Sequence, residues 1–90
     1  MSPFQVEILP DAEKALGSLD TLAAERVLSR LGWLGANVDV VRPKPLHGSL
    51  DGFFKLRVGD LRVVYSLDRA AHLIQVHLIG NRNDIYKRRE

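Results

Sequence analysis

The chain has 90 residues, 46% of them hydrophobic, which suits a single domain spanning residues 1–90 and leaves too little material for two cores. It contains no cysteine, so disulfide bonds, thiolate catalysis and cysteine-bound metals are excluded. The net charge is only +2, but residues 1–40 carry −3 and residues 41–90 carry +5, an asymmetry that either arises by chance or marks a surface for a polyanion in the second half.

The sequence lacks the features of a membrane or secreted protein. No apolar run approaches the roughly 18 residues that a membrane span needs. The first residues, Met1 to Pro3, lack the basic region and the apolar stretch that open a signal peptide. The sequence therefore predicts a soluble protein of the cytoplasm, with no membrane partner.

One strand and two helices are predicted in the first half. Residues 4–8 alternate apolar and polar, which is typical of a half-buried strand. A helix is expected to begin near Pro10, which suits a first helical turn, and to end at Gly17. Asp20 is expected to cap a second helix that ends near Asn37. The apolar face of that helix is predicted to comprise Ala24, Val27, Leu28, Leu31 and Leu34.

Two further features of this region carry alternatives. Trp33 lies beside the apolar stripe, and packing is favoured there over a role as an exposed anchor for a partner. Residues 39–49 include prolines and a glycine and are predicted to form an ordered basic loop. Its Arg42, Lys44 and His47 either contact a nucleic-acid backbone or are solvated charges.

The second half is organised around a β-hairpin. Residues 53–58 and 61–67 are predicted to be strands, and Gly59 supplies the positive φ that a two-residue turn requires. In that register Arg57 lies directly opposite Arg62, and such a like-charge pair destabilises a hairpin by about 0.2–1 kcal/mol. A pairing that costs stability favours a functional explanation, of which binding to a polyanion is the simplest. The core face is predicted to hold Phe54, Leu56, Val58, Leu61, Val63 and Tyr65, and the other face Lys55, Arg57 and Arg62.

A final strand is predicted over residues 73–79. Gln75 and His77 are expected to point to the same side as the facing arginines. Basic and aromatic residues follow on the segment that leaves this strand at the edge of the polar face. The residues predicted for the core face are Ile74, Val76 and Leu78, and those on the departing segment are Arg82, Tyr86 and Lys87.

Together these side chains favour metal-free chemistry on a phosphodiester. The acidic residues of the second half fall mostly at turns, so the clustered carboxylates of a metal-dependent nuclease are not predicted, and no metal or other cofactor is expected. RNA permits cleavage without a metal, because its 2′-OH attacks the adjacent phosphorus when a base removes the proton and cations hold the transition state. His77, Tyr86 and Lys55 are the candidates for proton transfer, and the residues alone leave their roles open.

Three motifs carry a resemblance to a known family. They are Leu46-Xaa-Gly48, the run from Lys55 to Asp60 followed by Arg62 and Tyr65, and Ile79-Gly80-Xaa-Arg82 ending at Tyr86. In this order, over nearly the whole chain, they resemble the RelE/ParE superfamily of toxins from bacterial and archaeal type II toxin–antitoxin pairs. The resemblance implies an α+β fold of order β-α-α-β-β-β, with an antiparallel-rich sheet covered on one face by a helical hairpin.

The resemblance also implies an activity and a partner. RelE-like members cleave mRNA in the ribosomal A site and inhibit translation, so an endoribonuclease held inactive by a cognate antitoxin in a hetero-oligomer is expected. By similarity, Tyr86 is the candidate base for the 2′-OH, and Lys55 stabilises charge. Arg62 and Arg82 are the implied ligands of the phosphate and its transition state. The residues expected to contact RNA are Arg57, His77, Lys44 and Lys87.

Two positions depart from the family's pattern, and other functions stay open. Phe53 stands where some RelE proteins carry a second lysine, and Asn81 stands where many relatives have a histidine. A ParE-like toxin that poisons DNA gyrase by protein contact is the alternative, and an inactive relative that only binds a partner is a third. The presence of Arg62, Arg82 and Tyr86 together favours the ribonuclease, since gyrase poisoning has no evident need for them.

Overall fold

The computed structural model describes residues 3–41, 43–46, 48 and 51–81. The predicted order of one strand, two helices and three strands is confirmed, and a further strand of two residues lies where the sequence predicts a loop. This short strand extends the sheet on its hairpin side. The elements are β1 (Gln5–Ile8), α1 (Pro10–Gly17), α2 (Thr21–Asn37), β2 (Lys44–Pro45), β3 (Phe54–Val58), β4 (Leu61–Asp68) and β5 (Leu73–Asn81).

The five strands form one mixed sheet in the order β1-β5-β4-β3-β2. The strands from β2 to β5 pair antiparallel with their neighbours, while β1 pairs parallel with β5. The protein therefore has the predicted α+β fold with an antiparallel-rich sheet. Its first strand lies beside its last.

Local sequence explains where both helices begin. α1 starts at Pro10, whose fixed φ suits a first turn, and Asp11 and Glu13 complement the positive end of the helix dipole. The predicted cap of α2 is confirmed, because the Asp20 side chain accepts a hydrogen bond of 2.8 Å from the Ala23 backbone N–H.

In the described part of the chain, no helix is long and apolar enough to cross a membrane.

The main core lies between the two helices and one face of the sheet. α2 approaches β1 closely at Gly35, since a Cβ atom there would lie 2.7 Å from the backbone oxygen of Phe4. The same two residues share a hydrogen bond of 2.8 Å from the Phe4 N–H to the Gly35 carbonyl. The buried members of this core are Phe4, Ala12, Val27, Leu31, Leu34, Val38, Leu56, Val58, Val63, Tyr65, Ile74, Val76 and Ile79.

Three large apolar residues of α2 do not join this core, and one of them, Leu22, is 59% exposed. Leu28 is 47% exposed and Trp33 is 45% exposed. The buried stripe of α2 follows Val27, Leu31 and Leu34, so Leu28 lies about 100° around the helix from its neighbour and misses the sheet. The predictions that Leu28 lies on the apolar face and that Trp33 packs are therefore wrong.

A β-bulge in β5 changes which side chains face the core. Val64 pairs with Leu78 and Tyr65 pairs with Val76, so one extra residue, His77, lies between them on β5. His77 and Leu78 consequently both point away from the helices. The prediction that Leu78 lies on the core face is wrong, because simple alternation does not anticipate the extra residue.

A smaller apolar cluster lies on the face of the sheet opposite the helices, which we call the distal face. Leu46 and Val64 are buried in this cluster, and Phe53 and Leu78 are half-buried against them. Leu46 is held over the sheet by its backbone N–H, which donates to the Phe53 carbonyl at 2.9 Å. The distal face is therefore partly apolar, and its charged residues lie beside this cluster.

Candidate nucleic-acid interface

The predicted register of the hairpin between β3 and β4 is confirmed. Gly59 adopts a φ of +59° in the turn, and Arg57 pairs directly with Arg62. Directly paired residues point to the same side of a sheet, so both guanidinium groups belong to the distal face. The five pairs are Phe54–Tyr65, Lys55–Val64, Leu56–Val63, Arg57–Arg62 and Val58–Leu61.

A second like-charge pair lies beside the first. Lys44 of β2 pairs with Lys55 of β3, two residues along that strand from Arg57. The sequence predicts Lys44 in a loop, and the short strand β2 brings it onto the sheet instead. Cations thus project from three neighbouring strands, and we call this set the cationic face. Its members are Lys44, Lys55, Arg57 and Arg62.

The cationic face has no acidic counterpart among the described residues. Arg57 donates from Nε to the Gly59 carbonyl at 3.4 Å, and Arg62 donates from Nη1 to the Leu61 carbonyl at 3.3 Å. Both contacts are long for hydrogen bonds and use one of five donors, so most of each guanidinium group remains available. Within the described ranges, no group of three His, Asp or Glu side chains could hold a metal ion. The absence of a cofactor stays a prediction.

The four cations line a cavity of about 300 Å³ together with three residues of α2, the buried Leu34 and two exposed side chains. The two exposed side chains are Arg30 and Trp33, with the guanidinium carbon of Arg30 4.7 Å from the centre of the Trp33 ring. Neither residue is in the predicted site. Their spacing of three residues on a helix is the signal that predicts their contact. The helix therefore contributes a fifth cation and an aromatic ring to this cavity.

The arrangement is suited to an anion that carries several oxygens. Paired residues of an antiparallel ladder have Cβ atoms about 4.5–5.5 Å apart, so neighbouring cations repel one another. Hydrogen bonds from arginine and lysine to phosphate oxygens are charge-assisted and are among the stronger ones in proteins. The cationic face can therefore bind a phosphodiester and stabilise additional negative charge on it.

His77 lies on the distal face, as predicted, on β5 and two strands away from Lys55. Its Nε2 is 2.8 Å from Ser66 Oγ, and its ring centroid is 4.9 Å from that of Phe53, with the planes at 77°. Burial lowers the pKa of His77 below its ordinary value, so the imidazole is uncharged at neutral pH. It adds hydrogen-bonding capacity to this surface rather than charge.

The chain has two tyrosines, and only Tyr65 lies within the described residues. Tyr65 is 1% exposed in the core, and burial raises its pKa to about 12, so it does not act as a base near neutral pH. Tyr86 lies outside the described residues, and its predicted role stays a prediction. The sequence-predicted residues that lie outside the described ranges are Arg42, His47, Arg82, Tyr86 and Lys87.

A second concave surface lies along the outer side of α2. A cavity of about 530 Å³ separates this helix from the end of the β3–β4 hairpin, and we call it the α2 groove. It shares Arg30 and Arg57 with the cavity of the cationic face. Leu22, which is 59% exposed, adds apolar surface to it. The groove is lined by Leu22, Glu25, Arg26, Ser29, Arg30, Arg57, Val58 and Gly59.

Comparisons with known proteins point to one class. No family model matches the chain. A curated relative, the toxin RelE of Mycobacterium tuberculosis, is 39% identical over 86 residues, which cover 94% of this chain and 88% of the relative. The toxin–antitoxin complex RelBE2 from the same organism contains a chain that superposes with a TM-score of 0.81 at 26% identity, covering 91% of this chain and 94% of that one. The archaeal RelE–RelB complex from Pyrococcus horikoshii contains a chain with a TM-score of 0.71 at 28% identity, covering 91% and 97% respectively.

Proposed function

This chain belongs to the RelE family of toxins of toxin–antitoxin systems, and on that premise we propose that it is a ribosome-dependent endoribonuclease that cleaves mRNA in the A site and inhibits translation. The observation that carries the proposal is the cationic face, where two like-charge pairs lie side by side on three strands. Such pairs cost stability in the free protein, and a phosphate backbone neutralises them. The proposed site of action is the cytoplasm.

The proposed reaction uses the 2′-OH of the RNA as its nucleophile. The 2′ oxygen forms a bond to phosphorus and the bond from phosphorus to the 5′ oxygen breaks, which leaves a 2′,3′-cyclic phosphate and a 5′-OH. A base takes the 2′ proton and an acid gives a proton to the leaving oxygen, each contributing about 10²–10⁴ in rate. Fixed cations, rather than a metal ion, hold the charge of the transition state.

The family resemblance supplies the proposed roles of individual residues. Tyr86 is the proposed base for the 2′-OH, and Lys55 stabilises developing charge. Arg62 and Arg82 are the proposed ligands of the phosphate and its transition state. Lys55 and Arg62 project from adjacent strands of the distal face, which supports their acting on one phosphate. The residues proposed to bind the RNA strand are Arg57, His77, Lys44 and Lys87.

The proposed partners are the ribosome with its mRNA and a cognate antitoxin. The two solved complexes named above are toxin–antitoxin complexes, and we extend that arrangement to this chain as a proposal. A segment with acidic and apolar residues would complement the α2 groove, which combines exposed Leu22 with Arg26 and Arg30. Such a segment reaches the cationic face through Arg57, which both surfaces share.

The test is to express the protein without its antitoxin and to map mRNA ends on translating ribosomes. We expect cuts in A-site codons, and we expect Arg62→Ala and Arg82→Ala each to lower the cleavage rate by about 10²–10³-fold, because each removes a ligand of the transition state. Tyr86→Phe should also weaken cleavage strongly, by about 10²–10⁴-fold, because it removes the proposed base.

Arg69→Ala is the matched control for the arginine variants. Arg69 is exposed in the turn after β4, at the opposite end of that strand from Arg62, and its loss should leave cleavage unchanged. Intact mRNA together with gyrase-linked DNA breaks would contradict the proposal and support the gyrase alternative. If Arg62→Ala cleaves mRNA as fast as the unaltered protein, the cationic face does not take part in catalysis through Arg62, and the proposed mechanism is wrong.

A further inference from the structure

The β-bulge in β5 orients His77 on the distal face. At the bulge one extra residue of β5, His77, lies between Leu78 and Val76, the residues that pair with Val64 and Tyr65. Bulges re-aim side chains and are common next to functional sites. The backbone of β5 therefore departs from regular pairing at the one histidine of the predicted site, whereas regular alternation would give Leu78 to the core.

The imidazole of His77 is held from two directions. Ser66, on the neighbouring strand β4, binds its Nε2 at 2.8 Å, and the Phe53 ring meets it nearly edge to face. Among the described residues, Nδ1 has no hydrogen-bond partner. Because burial lowers the pKa of His77, this ring is neutral and its Nδ1 is free to donate or accept one hydrogen bond. A fixed, neutral ring with one unused nitrogen is suited to read an uncharged polar group.

Phe53 gives the same place an aromatic surface. Its ring is half-buried, resting on Leu46, Val64 and Leu78 on the distal face rather than in the main core. It precedes Lys55 by two residues, so the Cα atoms of the two residues lie about 6–7 Å apart along an extended chain. An aromatic platform beside phosphate-binding cations is the arrangement by which proteins bind single-stranded nucleic acid.

We infer that Phe53 and His77, with Ser66 holding the imidazole, form a subsite for one unpaired nucleobase of the RNA. The base stacks on the exposed part of the aromatic pair, and Nδ1 of His77 bonds to a polar group on its edge. The cationic face holds the adjoining phosphate. This subsite rests on the proposed function, and it makes Phe53 and His77 residues that determine which sites in mRNA are cut.

Substitutions that keep the apolar volume but remove the ring test the subsite. Phe53→Leu still covers Leu46 and Val64 but offers no stacking surface. We expect its cleavage rate at the preferred sites on purified translating ribosomes to fall by about 5- to 100-fold, since stacking of one base is worth that much. Differences in rate between sites that differ in one base should shrink, while Phe53→Tyr, which keeps the ring, should retain both rate and preference.

His77→Gln supplies an independent variant on the polar side of the subsite. Glutamine can still bond to Ser66 but has no ring, so we expect altered preference among sites with little change in melting temperature. Phe54→Leu is the matched control, because the Phe54 ring packs on Tyr65 at 5.7 Å on the core side. It should lower the melting temperature and leave the ratio of rates between sites unchanged.

The outcomes separate the subsite from the proposed function. If Phe53→Leu and His77→Gln cut the same sites at the same relative rates as the unaltered protein, the subsite is wrong and the ribonuclease stands. If the unaltered protein cuts no ribosomal mRNA, the proposed function falls and the subsite falls with it. Loss of preference in both variants, with preference kept in Phe54→Leu and Phe53→Tyr, supports the subsite.

Discussion

Arg57 and Arg62 repel each other across the hairpin, and that repulsion is measurable in the free protein. We predict that Arg57→Thr raises the free energy of unfolding by about 0.2–1 kcal/mol at low salt, because it removes the like-charge pair and threonine suits a strand. Urea denaturation measures the change. The gain should shrink at high salt, where the charges are screened.

Arg69→Thr is the control for this change, because Arg69 lies exposed in a turn and faces no cation across the sheet. It should leave the free energy of unfolding nearly unchanged at either salt concentration. Ribosomal cleavage by Arg57→Thr should fall while stability rises. A destabilised Arg57→Thr protein would show that the pair is not repulsive and would remove the main argument for a functional surface here.

Single residues also mark where reasoning from the sequence succeeds and where it stops. The opposition of Arg57 and Arg62 is predictable because a two-residue turn fixes every pair of the hairpin. The side of Leu78 is not, because nothing in the alternation of β5 signals an extra residue. Whether Trp33 packs in the core or lines a cavity depends on the rotation of α2 about its axis. The spacing of apolar residues defines that rotation only to about 100°, the angle between successive residues.

Helix α2 carries two glycines that the structure distinguishes. We predict that Gly35→Ala destabilises the protein by about 1–3 kcal/mol, because the new Cβ would lie 2.7 Å from the Phe4 oxygen and must push α2 away from β1. Thermal or urea unfolding measures the effect. Part of it is offset by the higher helix propensity of alanine, about 1 kcal/mol.

Gly32→Ala is the control in the same helix. A Cβ at Gly32 meets no atom within 4 Å, so only the propensity gain applies and the protein should become more stable by up to about 1 kcal/mol. Opposite signs for the two variants would confirm the tight contact between α2 and β1. Equal stabilisation by both would show that the contact is looser than 2.7 Å.

At the scale of elements, most of the fold is predictable and the exceptions have a common cause. The helices follow from Pro10, Asp20 and the spacing of apolar residues, and the hairpin follows from Gly59. The short strand β2 is different, because it exists only through pairing with β3 and leaves no pattern of its own. The same holds for Lys44, one of the four cations of the cationic face, because only that pairing brings it opposite Lys55. The second like-charge pair is therefore not visible in the sequence.

Across the whole molecule, the α2 groove and the cationic face form one continuous basic surface. The groove and the cavity of the cationic face share Arg30 and Arg57, so a partner that fills the groove meets cations of the proposed RNA site. On the proposed function, an acidic, amphipathic antitoxin segment does not need to cover the entire cationic face in order to compete with RNA. Competition through shared residues gives inhibition a physical basis in charge complementarity.

A charge reversal in the groove tests this arrangement. We predict that Arg26→Glu weakens binding of the antitoxin by about 10- to 100-fold, because it places a like charge against an acidic segment, while cleavage by the free toxin is unchanged. Titration calorimetry with the antitoxin measures the affinity. Lys14→Glu, an equal change of charge at an exposed position of α1, should bind the antitoxin as before. Undiminished affinity of Arg26→Glu would place the antitoxin elsewhere.

The central position of β5 has a consequence for how a cell makes this protein. β5 lies between β1 and β4, so β1 has no neighbour in the sheet until residues 73–81 have been synthesised. At roughly 5–20 residues per second, synthesis of such a chain takes on the order of 5–20 seconds, and pairing of distant segments adds to the delay. Until β5 emerges, the nascent polypeptide has no complete sheet, and the proposed RNA-binding surface lacks His77. A co-produced antitoxin of the proposed kind thus has nearly the whole of translation in which to be present before the sheet is complete.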